Sequence, residues 1–257
     1  MFDGTKRRVA TLVAAVIAVG GAGLWGATGR GPATRPAGVA VVELFTSQGC
    51  SSCPPAEAVL GELADAAARD GRPVYTLAFH VDYWNHLGWA DPFSDAGYSE
   101  RQRQYARTFS LDQIYTPQMV VNGRSQFVGS DRGAADRAIA DALAAPAAVR
   151  LAVDIARSAG DDLRLRYAAP GVGADAVIHV AVVEQGLQTA VKRGENAGQQ
   201  LDQPSVVRWF NTVPGADHGT VAIPPLPAVA AGRASVVVFA QRSADGAVLG
   251  ATAVPLP

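Results

Sequence analysis

At 257 residues, the chain is long enough for two small domains or one enlarged domain. Hydrophobic residues make up 49% of it and charged residues 18%, which excludes a largely disordered protein. The formal net charge of −1 argues against a protein drawn to nucleic acid by bulk positive charge. Two cysteines are too few for a disulfide-rich scaffold, so any thiol chemistry depends on this one pair.

The amino terminus has the pattern of an export signal. Three basic residues at positions 6–8 precede an uncharged, apolar stretch over residues 9–27. The length of this stretch is also marginal for a membrane-spanning helix. We therefore expect residues 1–30 to be a signal peptide or a membrane anchor, with cleavage left open, and residues 31–38 to be a linker. The rest of the chain is expected in the periplasm or outside the cell, where disulfides persist.

Residues 39–146 alternate between strand and helix patterns. Buried-type apolar runs predict the strands, and apolar positions recurring every three or four residues predict the helices. Asn122-Gly123 is a strong two-residue hairpin signal between two of the strands. In chain order, the sequence predicts strand 39–45, helix 56–70, strand 74–81, helix 94–108, strand 118–121, strand 124–128 and helix 131–145.

After Pro146 the pattern changes to short strands separated by turn residues. This predicts a second, mainly-β domain over residues 147–257, similar to a β-sandwich. The predicted strands are 149–155, 163–167, 176–183, 205–209, 234–239 and 247–254.

Cys50 and Cys53 form a C-x-x-C motif between a predicted strand and a predicted helix. The amides and dipole of a helix N-terminus lower the pKa of a nearby thiol, so we expect an exposed Cys50 to be the nucleophile. Cys53, one turn further on, would then resolve the mixed disulfide. The spacing also suits zinc, but a structural zinc site needs four ligands and no second C-x-x-C occurs.

Thr116 and Pro117 directly precede the third predicted strand. In a chain with a C-x-x-C motif, we expect a cis peptide bond here, in a loop that faces the cysteines. The carbonyl before the proline would be free to pair with an extended substrate, which makes Thr116 a candidate substrate contact. The alternative is an ordinary trans proline at the start of a strand.

The β-α-β-α-β-β-α order with C-x-x-C at the first helix resembles the thioredoxin fold. More closely, the chain resembles the exported thioredoxin-like family known as domain of unknown function 1223, in blocks between about residues 41 and 208. These blocks are VELFTSQGCSSCPPAE, FHVDYWNHLGWADPFS, YSERQRQY, YTPQMVVNG and RGENAG. The resemblance implies a thioredoxin-like α/β domain and thiol chemistry at Cys50, Cys53 and Pro117. It implies no substrate. Ser51-Ser52 replaces the Gly-Pro of thioredoxins, which leaves the direction of electron flow open.

Glu43 is a carboxylate within the first apolar strand. If it lay beneath the cysteines, burial would raise its pKa and it could exchange a proton with Cys53. The alternative is a glutamate at a strand end that reaches solvent or a capping amide.

The loop that follows the second strand is rich in aromatic and imidazole groups. Trp84, His86 and Trp89 are candidate substrate contacts, because exposed aromatic side chains give binding area at little entropic cost. A second interpretation is a copper(I) site in which His80 or His86 joins the two cysteines. A third is a packed structural loop.

The Gly-rich polar segment 193–198 is either an interstrand turn or a contact to the first domain. Together, these patterns predict an exported thiol–disulfide oxidoreductase that exchanges disulfides with a protein or a small thiol and needs no cofactor or resident metal. The alternatives are a copper-binding module and a redox-inert partner-binding module.

Overall fold

The computed structural model describes residue 1 and residues 37–157, 162–226 and 228–257. The predicted signal or anchor and most of the linker therefore lie outside the described residues. No helix within the described ranges is both long and apolar enough to cross a membrane.

The first half of the described chain has the predicted order of elements. Helix α1 begins with two prolines, which the first helical turn tolerates, and ends at Gly71 in the left-handed conformation. Helix α2 is capped by Asp95, whose carboxylate accepts the Gly97 N–H. The elements are β1 (Ala40–Thr46), α1 (Pro54–Asp70), β2 (Val74–His80), α2 (Ala96–Thr108), β3 (Gln118–Val121), β4 (Ser125–Val128) and α3 (Arg132–Ala144).

The second half contains all six predicted strands and three that the sequence did not predict. The unpredicted strands, β8, β9 and β11, are short and carry few apolar residues, so they lack a clear alternating pattern. The strands are β5 (Ala152–Arg157), β6 (Leu163–Ala168), β7 (Ala176–Glu184), β8 (Leu187–Ala190), β9 (Gln200–Gln203), β10 (Val206–Pro214), β11 (His218–Ile223), β12 (Ala234–Arg242) and β13 (Val248–Pro255).

One eight-stranded sheet runs through both halves, in the order β13-β12-β7-β10-β2-β1-β3-β4. Strands β1 and β2 are parallel and β3 is antiparallel to β1. Strand β10 lies parallel to β2 and covers what would otherwise be an unpaired sheet edge. Residues 147–257 therefore do not form the separate sandwich that the sequence predicted, and the described residues from 37 onward form one compact unit.

The smaller sheets pack on this central sheet. The three-stranded sheet β11-β6-β5 shares a hydrophobic core with β7, β12 and β13, so a face-to-face packing of two sheets does exist in the second half. Strands β8 and β9 form a hairpin that contacts α1. The result is a mixed α/β fold with a large central sheet and additional strands.

A buried ion pair of the first half packs against aromatic side chains of the second half, in the core on the α2 side of the sheet. Arg101 of α2 is 5% exposed and binds Glu43 of β1 through Nε–Oε2 (2.5 Å) and Nη2–Oε1 (2.9 Å). The guanidinium also lies 5.1–5.6 Å from the centroids of four aromatic rings, and two of these rings, Phe210 and Phe239, belong to the second half. Burial of this charge is therefore compensated by groups from both halves of the chain.

We expect Arg101→Ala to lower the free energy of unfolding by about 3–5 kcal/mol, because it leaves the Glu43 carboxylate buried without its cation. Urea unfolding followed by circular dichroism would measure this loss. Arg107→Ala is the matched control, since Arg107 is exposed on the same helix and pairs with Glu100 at the surface. Equal stability of the two variants would contradict a structural role for the buried pair.

Candidate active site

The C-x-x-C motif lies between the end of β1 and the start of α1. A turn after Thr46 leads to Cys50, and Cys53 is the N-cap residue of α1. The two cysteines form a disulfide whose Cα atoms are 5.5 Å apart. The predicted position of the motif, at a helix N-terminus after a buried strand, is therefore confirmed.

Both cysteines are buried, which corrects the expectation of an exposed Cys50. Cys50 is 1% exposed and Cys53 is fully buried, whereas Ser51 and Ser52 between them are exposed. Side chains from the second half also contact the backbone of the motif.

The covering segment comprises residues 193–198, which we call the strap, in the loop between β8 and β9. The Asn196 side-chain amide donates to the backbone carbonyls of Gln48 and Cys50, each at 2.9 Å. The Glu195 carboxylate accepts the Ser51 N–H at 2.9 Å, and this hydrogen bond lowers the pKa of Glu195. The segment is thus both an interstrand loop, between β8 and β9, and a contact to the first half, the two alternatives that the sequence left open.

Thr116 lies beside the disulfide. The Thr116–Pro117 peptide bond is cis, as the sequence predicted. The Thr116 hydroxyl donates to the sulfur of Cys50 at 3.4 Å and accepts the indole N–H of Trp84 at 2.8 Å. A hydrogen-bonded chain therefore connects the aromatic loop to Cys50 through Thr116.

The other predicted contacts in the aromatic loop differ in position. Trp89 is half-buried, donates to the side chain of Gln48 at 3.0 Å and lies against Gly194 of the strap. His86 is exposed and contacts the Tyr83 carbonyl, with no hydrogen bond to the motif or the strap. Trp84 and Trp89 are thus at the site, whereas His86 contacts only its own loop.

The ligands of the alternative copper(I) site do not come together in the part of the chain that the structure describes. The described residues bring together no group of three or more His, Cys, Asp or Glu side chains that could hold a metal ion. His80 binds Asp91 instead.

Glu43 is not beneath the cysteines, which corrects its predicted role. Successive side chains of a strand point to opposite faces of the sheet. Val42 and Leu44 pack with α1 and α3, whereas Glu43 points to the opposite face, where it binds Arg101 and Tyr105. Its carboxylate is therefore on the wrong side of β1 to exchange a proton with Cys53.

The buried carboxylate next to the motif is Glu57 of α1. It lies four residues after Cys53 and therefore on the same face of the helix. The Thr46 hydroxyl donates to Oε1 at 2.7 Å and the Gln203 amide donates to Oε2 at 3.2 Å. Burial raises the pKa of the Glu57 carboxyl. Glu57 was not predicted from the sequence, although its i,i+4 spacing from Cys53 is apparent there.

A buried His–Asp pair lies beside Glu57. His80, at the end of β2, contacts Asp91 through Nδ1–Oδ2 at 2.7 Å. Burial favours the neutral imidazole, but the charge and hydrogen bond of Asp91 prevail and raise the pKa of His80. Burial alone would raise the pKa of Asp91, yet His80 and two backbone amides, from Gln48 and Phe93, lower it. His80 Nε2 is buried and has no hydrogen-bond partner among the described residues.

A family comparison matches residues 41–241, which cover this site and most of both halves of the chain. The chain belongs to the family described as "Protein of unknown function (DUF1223)". A crystal structure of a protein from Agrobacterium tumefaciens is similar to this DUF1223 chain at 32% sequence identity and a TM-score of 0.63, covering 86% of this chain and 96% of that one. A domain of the outer membrane lipoprotein Omp28 from Porphyromonas gingivalis is 12% identical, with a TM-score of 0.26, and covers 43% of this chain and 88% of its own. No curated protein matches the chain.

We expect Asn196→Ala to speed reduction of the Cys50–Cys53 disulfide by dithiothreitol about 30-fold. The substitution removes two hydrogen bonds that hold the strap closed, worth about 1 kcal/mol each, so the open state becomes more populated. Alkylation followed by mass spectrometry would give the rate. Gln199→Ala, an exposed change next to the strap, is the control. An unchanged rate in Asn196→Ala would mean that the strap does not limit access.

We expect reduction of the disulfide to increase tryptophan fluorescence, because a disulfide quenches a nearby indole and Trp84 is linked to Cys50 through Thr116. Trp84→Phe should lose most of this increase. Trp209→Phe should keep it, because Trp209 packs against the core between the central and three-stranded sheets. Identical redox responses in the two variants would contradict the proximity of Trp84 to the disulfide.

Proposed function

We propose that this protein is an exported thiol–disulfide oxidoreductase that works through Cys50 and Cys53. The observation that carries the proposal is a C-x-x-C disulfide at the start of a helix with a buried carboxyl, Glu57, one turn further along. The strand order β2-β1-β3-β4, with β1 and β2 parallel and β3 antiparallel, supports a thioredoxin-like arrangement of the first half.

The reaction begins with the reduced protein and a substrate disulfide. The Cys50 thiolate attacks one substrate sulfur, the substrate S–S bond breaks, and one substrate thiolate leaves. Cys53 then loses its proton to Glu57 and attacks the Cys50 sulfur in the mixed disulfide. The second substrate thiolate leaves, the Cys50–Cys53 disulfide forms, and the substrate thiolates take up protons. Two electrons pass from the protein to the substrate, and the reverse sequence oxidises a substrate dithiol.

Glu57 suits the proton-transfer step by its position and environment. It lies one turn after Cys53 on the helix. Burial raises the pKa of its carboxyl and brings that pKa closer to the pH at which the reaction takes place, as proton transfer requires. Hydrogen bonds from Thr46 and Gln203 keep the carboxyl in place. Thr116 is assigned to hold the Cys50 sulfur and, through its backbone, a substrate chain.

The strap has to move before a substrate sulfur can reach Cys50, because the disulfide is buried. The exposed side chains around it belong to Ser51 and Ser52, and the half-buried Trp84 and Trp89 lie on the loop next to it. We assign these two indoles to substrate binding. The partner is a protein or small-molecule thiol or disulfide, met in the periplasm or outside the cell.

Burial of both sulfurs favours one alternative function. A disulfide with no accessible sulfur can be a structural cross-link in a redox-inert module that binds a partner through its surface. The two functions differ in whether Cys50 ever forms a mixed disulfide.

The Cys53→Ala variant tests the proposal, because it removes the residue that would resolve the mixed disulfide. Incubated with oxidised glutathione, it should gain one glutathione on Cys50, and with periplasmic or secreted protein fractions it should retain disulfide-linked partners that a reductant releases. Non-reducing electrophoresis and mass spectrometry would detect both.

Cys50→Ala is the matched control and should react far more slowly, because in the proposed reaction Cys50 is the sulfur that attacks the substrate. Absence of any mixed disulfide on Cys50, in a variant that retains its fold, would contradict oxidoreductase activity and favour the structural cross-link.

A further inference from the structure

In the buried imidazole of His80, Nδ1 contacts Asp91, whereas Nε2 has no hydrogen-bond partner among the described residues. Asp91 accepts two backbone N–H groups, from Gln48 and Phe93, and is therefore a carboxylate that can only accept hydrogen bonds. His80 Nδ1, 2.7 Å from Asp91, must then carry a hydrogen. In the neutral imidazole, this leaves a bare lone pair on Nε2, which is buried and has no partner in the part of the chain that the structure describes.

The fold places this lone pair on the same side of the sheet as Glu57. His80 is the register partner of Thr46 across β1 and β2, and the Thr46 hydroxyl binds the Glu57 carboxyl. Ala78, two residues before His80, packs in the core beneath α1, so His80 points to the α1 face as well. Glu57, His80 and the end of β1 that leads to the cysteines therefore form one buried group.

We propose that His80, oriented by Asp91, is the second position of the proton that Glu57 exchanges with Cys53. This inference rests on the proposed oxidoreductase function and adds to it a proton relay, Cys53–Glu57–His80, that the sequence did not predict. His80 is a positioning residue in this scheme, because it acts on the cysteine through Glu57.

The proton balance of the resolving step is simple. Cys53 passes its proton to the Glu57 carboxylate as its sulfur attacks Cys50. Glu57 is hydrogen-bonded to Thr46 and Gln203 and not to His80 Nε2, so its side chain has to turn from these partners before it passes the proton on. Transfer to His80 Nε2 then restores the carboxylate and forms an imidazolium next to the Asp91 carboxylate. The imidazolium returns its proton to solvent when the strap opens, so one proton leaves the protein for each Cys53 sulfur oxidised.

The charges that face the imidazole make it a suitable proton acceptor. Glu57 faces it from α1 and Asp91 from the loop after β2, and both carboxylates favour the protonated form. The ring of Phe93 lies edge-on to the His80 imidazole, with the two ring centroids 5.5 Å apart. Arg208, the cation stacked on Phe93, is paired with Glu184. The balance of these groups therefore favours uptake of a proton at Nε2.

The test separates the two sulfur steps with 5,5′-dithiobis(2-nitrobenzoate) and the reduced full chain. Attack by Cys50 releases one coloured thiolate, and resolution by Cys53 releases a second. We expect His80→Gln to leave the first phase unchanged, to slow the second phase about tenfold or more at neutral pH, and to remove one inflection from its pH profile.

Asp91→Asn should shift that inflection to lower pH, because the variant loses the negative charge that favours the imidazolium. His86→Gln, a change at an exposed histidine of the same loop, should leave both phases unchanged. A second phase with wild-type rate and pH profile in His80→Gln would overturn the relay while leaving the oxidoreductase function intact. Failure of the wild-type protein to release any thiolate would overturn both.

A measurement on the wild-type chain covers the case in which the buried substitutions prevent folding. We expect the His80 imidazole, followed by NMR across pH, to titrate at different pH in the oxidised and the reduced protein, because Cys53 exchanges a proton with its neighbour only in the reduced state. Superimposable titration curves in the two states would overturn the relay.

Discussion

A guanidinium in a protein core is tolerated only where a counter-charge and polar or aromatic groups replace its lost hydration. Arg101 meets this requirement with groups from four elements. Glu43 comes from β1, Phe79 from β2, Phe210 from β10 and Phe239 from β12. Since the first two belong to the α/β half and the last two to the mainly-β half, the buried charge is compensated only when both halves are packed together. The single eight-stranded sheet also joins the two halves, because strands of both halves pair within it.

This joint construction explains why the redox motif is covered. Strand β10 pairs with β2, so the hairpin that precedes it in the chain lies over α1 and the C-x-x-C motif. The hairpin supplies Asn196 and Glu195 to the motif's backbone and Gln203 to Glu57. The second half thus supplies hydrogen-bond partners to the backbone of the motif and to the carboxyl of Glu57.

Burial has opposite consequences for access and for proton transfer at this site. It hides both sulfurs, so exchange with a substrate requires the strap to open. It also places Glu57, His80 and Asp91 in a region with little water, where each charge strongly affects the protonation of its neighbours. The proposed reaction therefore needs the strap to open, and Glu57 and His80 are the groups proposed to take up the proton of Cys53 when it does.

The sequence by itself determined the local features. It predicted the order of the first seven elements, the C-x-x-C motif at the start of α1 and the cis bond before Pro117, because caps, prolines and apolar periodicity act over a few residues. Only the tertiary structure decided which face of β1 carries Glu43, since a shift of one residue reverses the direction of a strand side chain. Only the tertiary structure showed that Cys50 is buried and that His80 meets Asp91, because these contacts depend on loops packing across the sheet. The short strands β8 and β9 that carry the strap were not predicted, although the strap itself, RGENAG, is one of the blocks that carry the family resemblance.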